Sequence, residues 1–395
     1  MPRRSTTFST AVAVFGNDDL LTEILIWLPV RSLMKFKSVS RRWLSIITNP
    51  YFAHLRNRAH KATDTTASAL FLHRSSLLMN PEFEFVSIVA EDPFPAPFRF
   101  LTFVHDPRGV KILQSCNGLL CCCSFRASRP KRNFYVCNPT TKQYTTLPRI
   151  NRPKFSTIFG VNLAFDPSKS PHYKVVCVRS SESSPDHYQI EMYSSQTGPW
   201  RLSGEPFTNS NNINFDRGVF WNGAINWVSS WGDSLYFNVD SECLGTMPMP
   251  AVPDGWFERR FWYFGESTNR LHLIEMNDPR SREFNVLEMG RDYSGWFVKY
   301  RVDLGSIANA FPEMVWDDMS CAFSVLSVMR RESDEDSFLV VHIPGKAIRY
   351  NFKDGTFRKL CDLGCNDGEH STGTNHFLEF EWRDAYQYIE TLSCV

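Results

Sequence analysis

The residues best suited to hold a metal ion are three consecutive cysteines, Cys121, Cys122 and Cys123, with Cys116 and Cys137 near them in sequence. Thiolates are common zinc ligands, so this run first suggests a metal site. The run lies in an apolar segment typical of a β-strand, in which neighbouring side chains point to opposite faces. Three consecutive thiols therefore cannot converge on one ion.

Other signals of catalysis are weak. Cys361 and Cys365 are not followed by a second pair at zinc-finger spacing, and the ten histidines are scattered singly. The sequence contains no H-E-x-x-H, G-x-S-x-G, Walker or G-x-G-x-x-G motif. We therefore predict a non-catalytic protein that needs no metal and no cofactor.

Aromatic residues in predicted loops are the remaining candidates for binding. Trp231, Trp256, Phe257, Tyr293 and Trp296 lie beside Gly, Ser or Asp. Rigid aromatic side chains often anchor protein interfaces. The alternative is that they pack in the core, as large aromatics usually do. We predict them as contacts with a bound protein substrate.

Length and charge suggest two unequal parts. A chain of 395 residues with 43% hydrophobic residues fits a soluble globular protein with a short module and a larger repeat-built one. The net charge is +1, but residues 1–60 hold nine Lys/Arg against three Asp/Glu, which leaves the remainder at −5. A basic first part suggests an acidic partner, whereas the acidic remainder argues against binding nucleic acid.

The cysteine content favours a reducing compartment, because the count of eleven is odd and no N-x-[ST] glycosylation site is present. The apolar stretch 11–15 is shorter than the roughly 7–15 residues of a signal-peptide core. No segment approaches the roughly 20 apolar residues of a membrane span. We expect a protein of the cytoplasm or nucleus that does not contact a membrane.

Apolar residues between Asp18 and Arg58 recur at helical spacing. Asn17 with the two following aspartates predicts an N-cap and an acidic first turn. Pro29 should end the first helix, and Asn49-Pro50 should end the helical run that begins near Ser32. We expect three short helices with more apolar surface than so small a module can bury. Either a partner or the rest of the chain must cover that surplus.

The same segment resembles the F-box motif, through Asp19-Leu20-Leu21 to Glu23-Ile24-Leu25, Leu28-Pro29-Val30-Arg31-Ser32-Leu33, Phe36-Lys37, Val39-Ser40, Trp43 and Pro50. The resemblance implies docking on a Skp-type adaptor, which links an F-box to a cullin-RING ubiquitin ligase. Carried over to this chain, the adaptor-binding residues would be Leu20, Leu21, Ile24, Leu28, Pro29, Val30, Leu33, Val39 and Trp43.

The rest of the chain reads as repeated β-hairpins after a polar hinge at 61–68. Asn117-Gly118 and Asn222-Gly223 suit two-residue hairpin turns, since both positions need positive φ. A second pattern, a strand, a polar turn and another strand, recurs at 134–148, 190–202, 235–250 and 348–360. Such spacing is typical of propeller blades. We expect residues 375–392 to return and pair with strands between 69 and 105, closing the ring.

Four motifs of this part resemble the F-box-associated region of plant F-box proteins: Ser115-Cys116-Asn117-Gly118-Leu119-Leu120, Val136-Cys137-Asn138-Pro139-Thr140-Thr141, Phe165-Asp166-Pro167 to Tyr173-Lys174-Val175-Val176, and Gly218-Val219-Phe220-Trp221-Asn222-Gly223. The resemblance implies a small all-α F-box head followed by an all-β, kelch-like propeller of six or seven blades. We place a disordered tail at 1–16, the F-box at 17–60, the hinge at 61–68 and the propeller at 69–395.

Together the two resemblances imply a substrate-recognition subunit of an SCF-type ubiquitin ligase. The head would hold the adaptor, and the propeller would bind a protein for ubiquitination. Two alternatives stay open: a scaffold or inhibitor that sequesters its partner without degradation, and a β-propeller enzyme acting on sugars, since such enzymes can assemble sites from distant strands.

Overall fold

The computed structural model of the chain consists of a helical head and a β-propeller. It describes residues 17–60, 66–74, 81–89, 95–126, 132–150, 157–182, 184, 186–209, 213–252, 259–276, 278, 281–317, 320–364 and 378–395. The predicted N-terminal tail at 1–16 and residues 61–65 of the predicted hinge lie outside the described residues. None of the helices in these ranges has the length and apolarity that crossing a membrane requires.

The head contains four helices: α1 (Asp18–Leu25), α2 (Val30–Phe36), α3 (Arg41–Thr48) and α4 (Pro50–Ala59). Asn17 caps α1 as predicted, with its side-chain oxygen accepting the Asp19 amide at 2.8 Å. Leu21, Leu25, Leu33, Ile47 and Phe52 form the buried centre of the head. The apolar stripe of each helix thus faces the other three.

The head has one helix more than we predicted, because Asn49-Pro50 begins a helix as well as ending one. The Asn49 side chain accepts the Tyr51 amide at 2.8 Å, which caps α4. Pro50 occupies the first position of α4, where its fixed φ and missing N–H cost nothing. A Pro that ends one helix can therefore also start the next.

Twenty-three of the described strands form six blades. Neighbouring strands within each blade run antiparallel. Blade 1 contains β1 (Ala69–Arg74), β2 (Glu82–Ser87) and the last strand of the chain, β25 (Ala385–Tyr388). Blade 2 contains β3 (Val110–Cys116), β4 (Leu119–Ser124), β5 (Phe134–Asn138) and β6 (Gln143–Thr146); blade 3 contains β7 (Ile158–Ala164), β8 (Lys174–Ser180), β9 (Tyr188–Ser194) and β10 (Arg201–Phe207). Blade 4 contains β11 (Val219–Trp221), β12 (Ala224–Trp227), β13 (Ser234–Asn238) and β14 (Cys243–Met247).

Blade 5 contains β15 (Phe261–Glu266), β16 (Leu271–Glu275), β17 (Glu283–Met289) and β18 (Trp296–Asp303), and blade 6 contains β21 (Ser324–Met329), β22 (Phe338–Ile343), β23 (Lys346–Asn351) and β24 (Phe357–Asp362). Between these two blades lie helix α5 (Gly305–Ala310) and a small hairpin of β19 (Val315–Asp317) and β20 (Ser320–Cys321). The prediction of six or seven blades is thus settled at six.

An apolar core lies between each pair of neighbouring blades around the ring. Phe71 of blade 1 packs with Leu120 of blade 2, and Leu70 on the opposite side of the same strand packs with Phe338 of blade 6. Alternation along β1 therefore fills two inter-blade cores at once. Since blade 6 packs on blade 1, the ring is closed.

Closure joins the two ends of the propeller, as the sequence predicted. Strand β25 pairs with β1, with Tyr386 opposite Phe71 and Tyr388 opposite Ala69. The innermost strand of blade 1 thus comes from the C-terminal end of the chain, whereas the next two come from the start of the propeller. Strands from both ends of the propeller thus pair within one sheet, which closes the ring.

The predicted turns and hairpins are also present. Asn117 and Gly118 have φ of 45° and 89°, and Asn222 and Gly223 have φ of 52° and 75°. These turns join the first and second strands of blades 2 and 4. The second repeated pattern forms the outer hairpins of blades 2, 3, 4 and 6, namely β5–β6, β9–β10, β13–β14 and β23–β24.

Candidate interaction surfaces

Six large apolar side chains of the head stay exposed although its core is filled: Leu20 at 47%, Ile24 at 51%, Trp27 at 60%, Val39 at 59%, Leu44 at 43% and Tyr51 at 64%. Leu20, Ile24 and Trp27 follow one another at intervals of four and three residues, which places them on one side of α1 and its continuation. So many exposed apolar groups on about forty residues are characteristic of a surface that another protein covers.

The nine predicted adaptor-binding residues divide into three groups. Leu20, Ile24, Pro29 and Val39 are exposed, and Leu28 and Trp43 are half-buried. Leu21, Val30 and Leu33 are buried in the core of the head, so they support the exposed side chains from behind and offer no surface of their own. Three further exposed apolar residues, Trp27, Leu44 and Tyr51, are not among the nine predicted residues, although Trp27 lies seven residues after Leu20, on the same side of the helix.

The head rests on one end of the propeller through the last residues of the chain. Leu392 is buried within the core of the head. Glu390 accepts a hydrogen bond from Arg31 Nε at 2.6 Å. His54 Nδ1 lies 3.3 Å from the Pro167 carbonyl oxygen in the loop after β7. The tail that follows the closing strand therefore connects the two parts of the molecule.

Two motifs of the predicted F-box-associated region hold this tail. The Asn138 amide donates to the carbonyl oxygens of Thr391 at 3.1 Å and Ser393 at 2.7 Å. A Cβ on Gly118 would lie 2.6 Å from Thr391 Cγ2, and its φ of 89° also favours glycine. These residues thus position the tail rather than a ligand.

A channel runs along the propeller axis between the inner strands. Its cavity of about 110 Å³ is lined by residues of β3, β11, β15, β21 and β25. At the head end, a crevice of about 450 Å³ separates Asn57 and Arg58 of α4 from the Asn117 and Asn222 turns. Glu266 lines both spaces, and burial raises its pKa to about 7.

At the other end of the channel a cavity of about 470 Å³ opens away from the head. Phe159 and Phe261, near the starts of β7 and β15, lie in its wall, as do Arg217 before β11 and Arg383 before β25. The turns at the ends of inner strands face the head, so the starts of those strands face the opposite way. We call this opening the distal mouth.

Of the predicted aromatic contacts, Trp231 is 50% exposed in the loop between β12 and β13. Tyr293 stacks on Tyr236 with ring centroids 4.1 Å apart and donates to Asn226 Oδ1 at 2.8 Å. Trp296 donates to the Pro248 carbonyl oxygen at 2.9 Å. Packing between blades 4 and 5 accounts for the positions of Tyr293 and Trp296, the alternative that the sequence left open. Trp256 and Phe257 lie outside the described residues.

The cysteine run lies in β4 and is fully buried. Cys121 packs with residues of blade 3, whereas Cys122 packs with residues of blade 1 on the opposite face. Burial raises the pKa of both thiols well above its usual range. Such thiols pack as small apolar groups and are poor nucleophiles. In the part of the chain that the structure describes, His, Cys, Asp and Glu form no group of three suited to a metal; Cys365 lies outside it.

Comparisons with known proteins agree with both halves of the fold. Residues 17–55 match the family model of the F-box domain, and residues 86–293 match that of the F-box associated beta propeller domain. F-box protein At5g07610 of Arabidopsis thaliana is 39% identical over 415 residues, which cover 98% of this chain and 94% of that protein. F-box protein At5g49610 of the same plant is 30% identical, over 75% of this chain and 81% of its own length.

Among solved structures, TolB from Acinetobacter baumannii aligns with 78% of this chain and 68% of its own at 10% identity. The TM-score of this alignment is 0.39.

Proposed function

Because this chain belongs to the F-box proteins that carry an F-box-associated β-propeller, we propose that its head docks on a Skp-type adaptor while its propeller binds a protein destined for ubiquitination. F-box proteins of this architecture form the family of SCF-type substrate receptors, and they are in general non-catalytic subunits. The adaptor contact and the capture of a target protein by this chain are the parts that we propose. We propose that the protein acts in the cytoplasm or nucleus.

The exposed apolar side chains of the head carry this proposal. The core of the head is complete without them, since Leu21, Leu25 and Leu33 already fill it. Full burial of one aliphatic side chain contributes about 1.5–3 kcal/mol. Covering the exposed half of the four aliphatic groups, Leu20, Ile24, Val39 and Leu44, therefore contributes roughly 3–6 kcal/mol towards the cost of association, before Trp27 and Tyr51 are counted.

The proposed mechanism is proximity. A receptor that holds a target beside a charged conjugating enzyme raises the local concentration of the target's lysines, and no residue of the receptor needs to react. The contacts of Leu392 and Glu390 with the head support this role, because they fix the head relative to the propeller. A fixed geometry limits which lysines are within reach.

Adaptor affinity tests the proposal. The double change Leu20→Ala with Ile24→Ala removes exposed groups on one side of α1 without opening the core, and Ala is a good helix former. We expect adaptor binding, measured by calorimetry with a purified Skp-type adaptor, to weaken about thirtyfold or more, which corresponds to about 2 kcal/mol.

The matched control is Leu202→Ala with Leu244→Ala, which removes exposed leucines from the outer strands of blades 3 and 4. Its adaptor affinity should equal that of the unmodified protein. Unchanged affinity of the head variant would refute docking through this surface, as would an equal loss in both variants.

A further inference from the structure

The turn between α1 and α2, residues 26–29, forms part of the exposed apolar surface of the head. Trp27 in this turn is 60% exposed, and Pro29 is exposed as well. Pro29 has no N–H and an extended backbone, with φ of −55° and ψ of 143°, so the hydrogen-bond ladder of α1 cannot continue through it. The carbonyl groups that follow α1 therefore need other donors.

Two side chains of α4 supply these donors. His60 Nε2 donates to the Ile26 carbonyl oxygen at 2.6 Å, and Arg56 Nη2 donates to the Leu28 carbonyl oxygen at 3.3 Å. Neither oxygen accepts a backbone N–H from the described residues. His and Arg side chains suit this position, because they bond to the last carbonyl groups of a helix and complement its negative end. The two side chains thus fix the backbone of the turn.

The two donors of α4 act from one face of that helix. Arg56 and His60 are four residues apart, and the His60 amide donates to the Arg56 carbonyl oxygen at 2.9 Å. The His60 ring also contacts the Trp27 ring, with centroids 5.1 Å apart and planes inclined at 58°. His60 therefore holds both the backbone of the turn and its most exposed side chain. Both donors lie just beyond residues 17–55, which match the F-box domain.

From these contacts, and resting on the proposed function, we infer that Arg56 and His60 are positioning residues that hold the 26–29 turn in the conformation that binds the adaptor. The apparent Kd of a surface rises as the fraction of molecules in the competent conformation falls. A turn that is fixed before binding also loses less conformational entropy when the adaptor covers it. Trp27, which is outside the nine predicted contacts, is thereby presented to the adaptor as a fixed aromatic group.

The variant His60→Phe tests this inference, because it keeps a ring beside Trp27 and removes the N–H donor. We expect the affinity of the full-length protein for a purified Skp-type adaptor to weaken about tenfold, as when about a tenth of the turns remain competent. His60→Gln, whose amide N–H replaces the Nε2 donor, should restore most of the affinity.

His54→Phe is the matched control. His54 lies on the same helix, and its Nδ1 is 3.3 Å from the Pro167 carbonyl oxygen of the propeller instead of the 26–29 turn. This variant should bind the adaptor as the unmodified protein does. In the free protein, hydrogen exchange at the Trp27 and Leu28 amides should be faster in His60→Phe than in His54→Phe.

A double variant separates positioning from a general loss of stability in the head. If His60 acts through the turn, His60→Phe should weaken binding much less when Trp27→Ala has already removed the side chain that it orients. Two independent losses would instead add.

Three results would overturn the inference while leaving the adaptor contact in place: full affinity of His60→Phe, equal losses in His60→Phe and His54→Phe, or additive losses in the double variant. If the unmodified protein did not bind the adaptor, the proposed function would be wrong and the positioning role with it.

Discussion

His73 shows how burial and neighbouring charges set the pKa of a polar side chain in the propeller. His73, the second-last residue of β1, lies beside Phe83 with ring centroids 5.5 Å apart, and its Nε2 has no partner among the described residues. Burial, followed by the charges of Lys111 and Arg217, lowers its pKa to about 4. The folded protein therefore holds this ring neutral at pH values where the unfolded chain protonates it.

This difference predicts a pH dependence of stability. Since the folded pKa is depressed below the ordinary value of about 6.5, the contribution of His73 is fully present above pH 6.5 and is lost as the pH falls towards 4. Between pH 7 and 5, urea denaturation should show the protein losing about 1–2 kcal/mol more of its free energy of unfolding than the variant His73→Phe. The variant His172→Gln, at an exposed site, should show the same dependence of the free energy of unfolding on pH as the unmodified protein. If His73→Phe also showed that same dependence, the assignment to His73 would be wrong.

At the scale of elements, the tail after β25 is a structural link. Asn138 holds its backbone, and Leu392 inserts into the head between helices that are close in sequence to one another but far from the tail. The head thus depends on the last strand of the propeller for its orientation. The outer hairpins, by contrast, are local units whose turn residues lie within a few positions of their strands.

Leu392→Ala should loosen the head without unfolding the propeller. Truncation of a buried leucine costs about 2–5 kcal/mol, and here that cost falls on the contact between head and tail. Hydrogen exchange should become faster in α1 to α4 while the amides of blades 2 to 5 keep their protection. Leu244→Ala, at an exposed leucine, is the control and should change neither region. Uniformly unchanged exchange after Leu392→Ala would show that the head is held elsewhere.

At the scale of the whole molecule, the ring depends on one strand. Strand β25 covers the inner edge of β1, and Tyr386 also donates to the Ile112 carbonyl oxygen of blade 2 at 3.0 Å. Tyr386, Tyr388 and Ile389 are all buried in the cores on either side of blade 1. Their burial contributes roughly 5–9 kcal/mol, which is comparable with the whole stability of a typical domain.

Deletion of residues 385–395 should therefore open the ring. We expect a lower and broader thermal transition and strong binding of a dye that detects exposed apolar surface. A peptide covering residues 379–395, added in trans, should restore the transition, whereas the same peptide with Tyr386→Pro should not, because proline cannot complete the ladder with β1. A truncated protein that melts like the full chain would show that the ring does not need this strand.

Much of the architecture follows from local sequence. The N-cap at Asn17, the Asn117-Gly118 and Asn222-Gly223 turns and the outer hairpins were predicted because each is encoded by residues a few positions apart. The F-box and propeller order followed from motifs of the same kind. The sequence does not predict the fourth helix, because Asn49-Pro50 has the form of a stop signal and its role as a helix start depends on the side-chain cap of Asn49.

Tertiary structure alone decided the rest, because these features join residues far apart in the chain. The sequence predicted a ring closed by the C-terminal segment, but the number of blades depended on how the hairpins group into sheets. The sequence predicted both Leu20 and Leu33 as adaptor-binding residues, whereas packing exposes Leu20 and buries Leu33. The insertion of Leu392 into the head joins the two ends of the chain, and the hydrogen bond from Arg217 to the Arg383 carbonyl oxygen joins residues 166 positions apart. No periodicity of the sequence records such contacts.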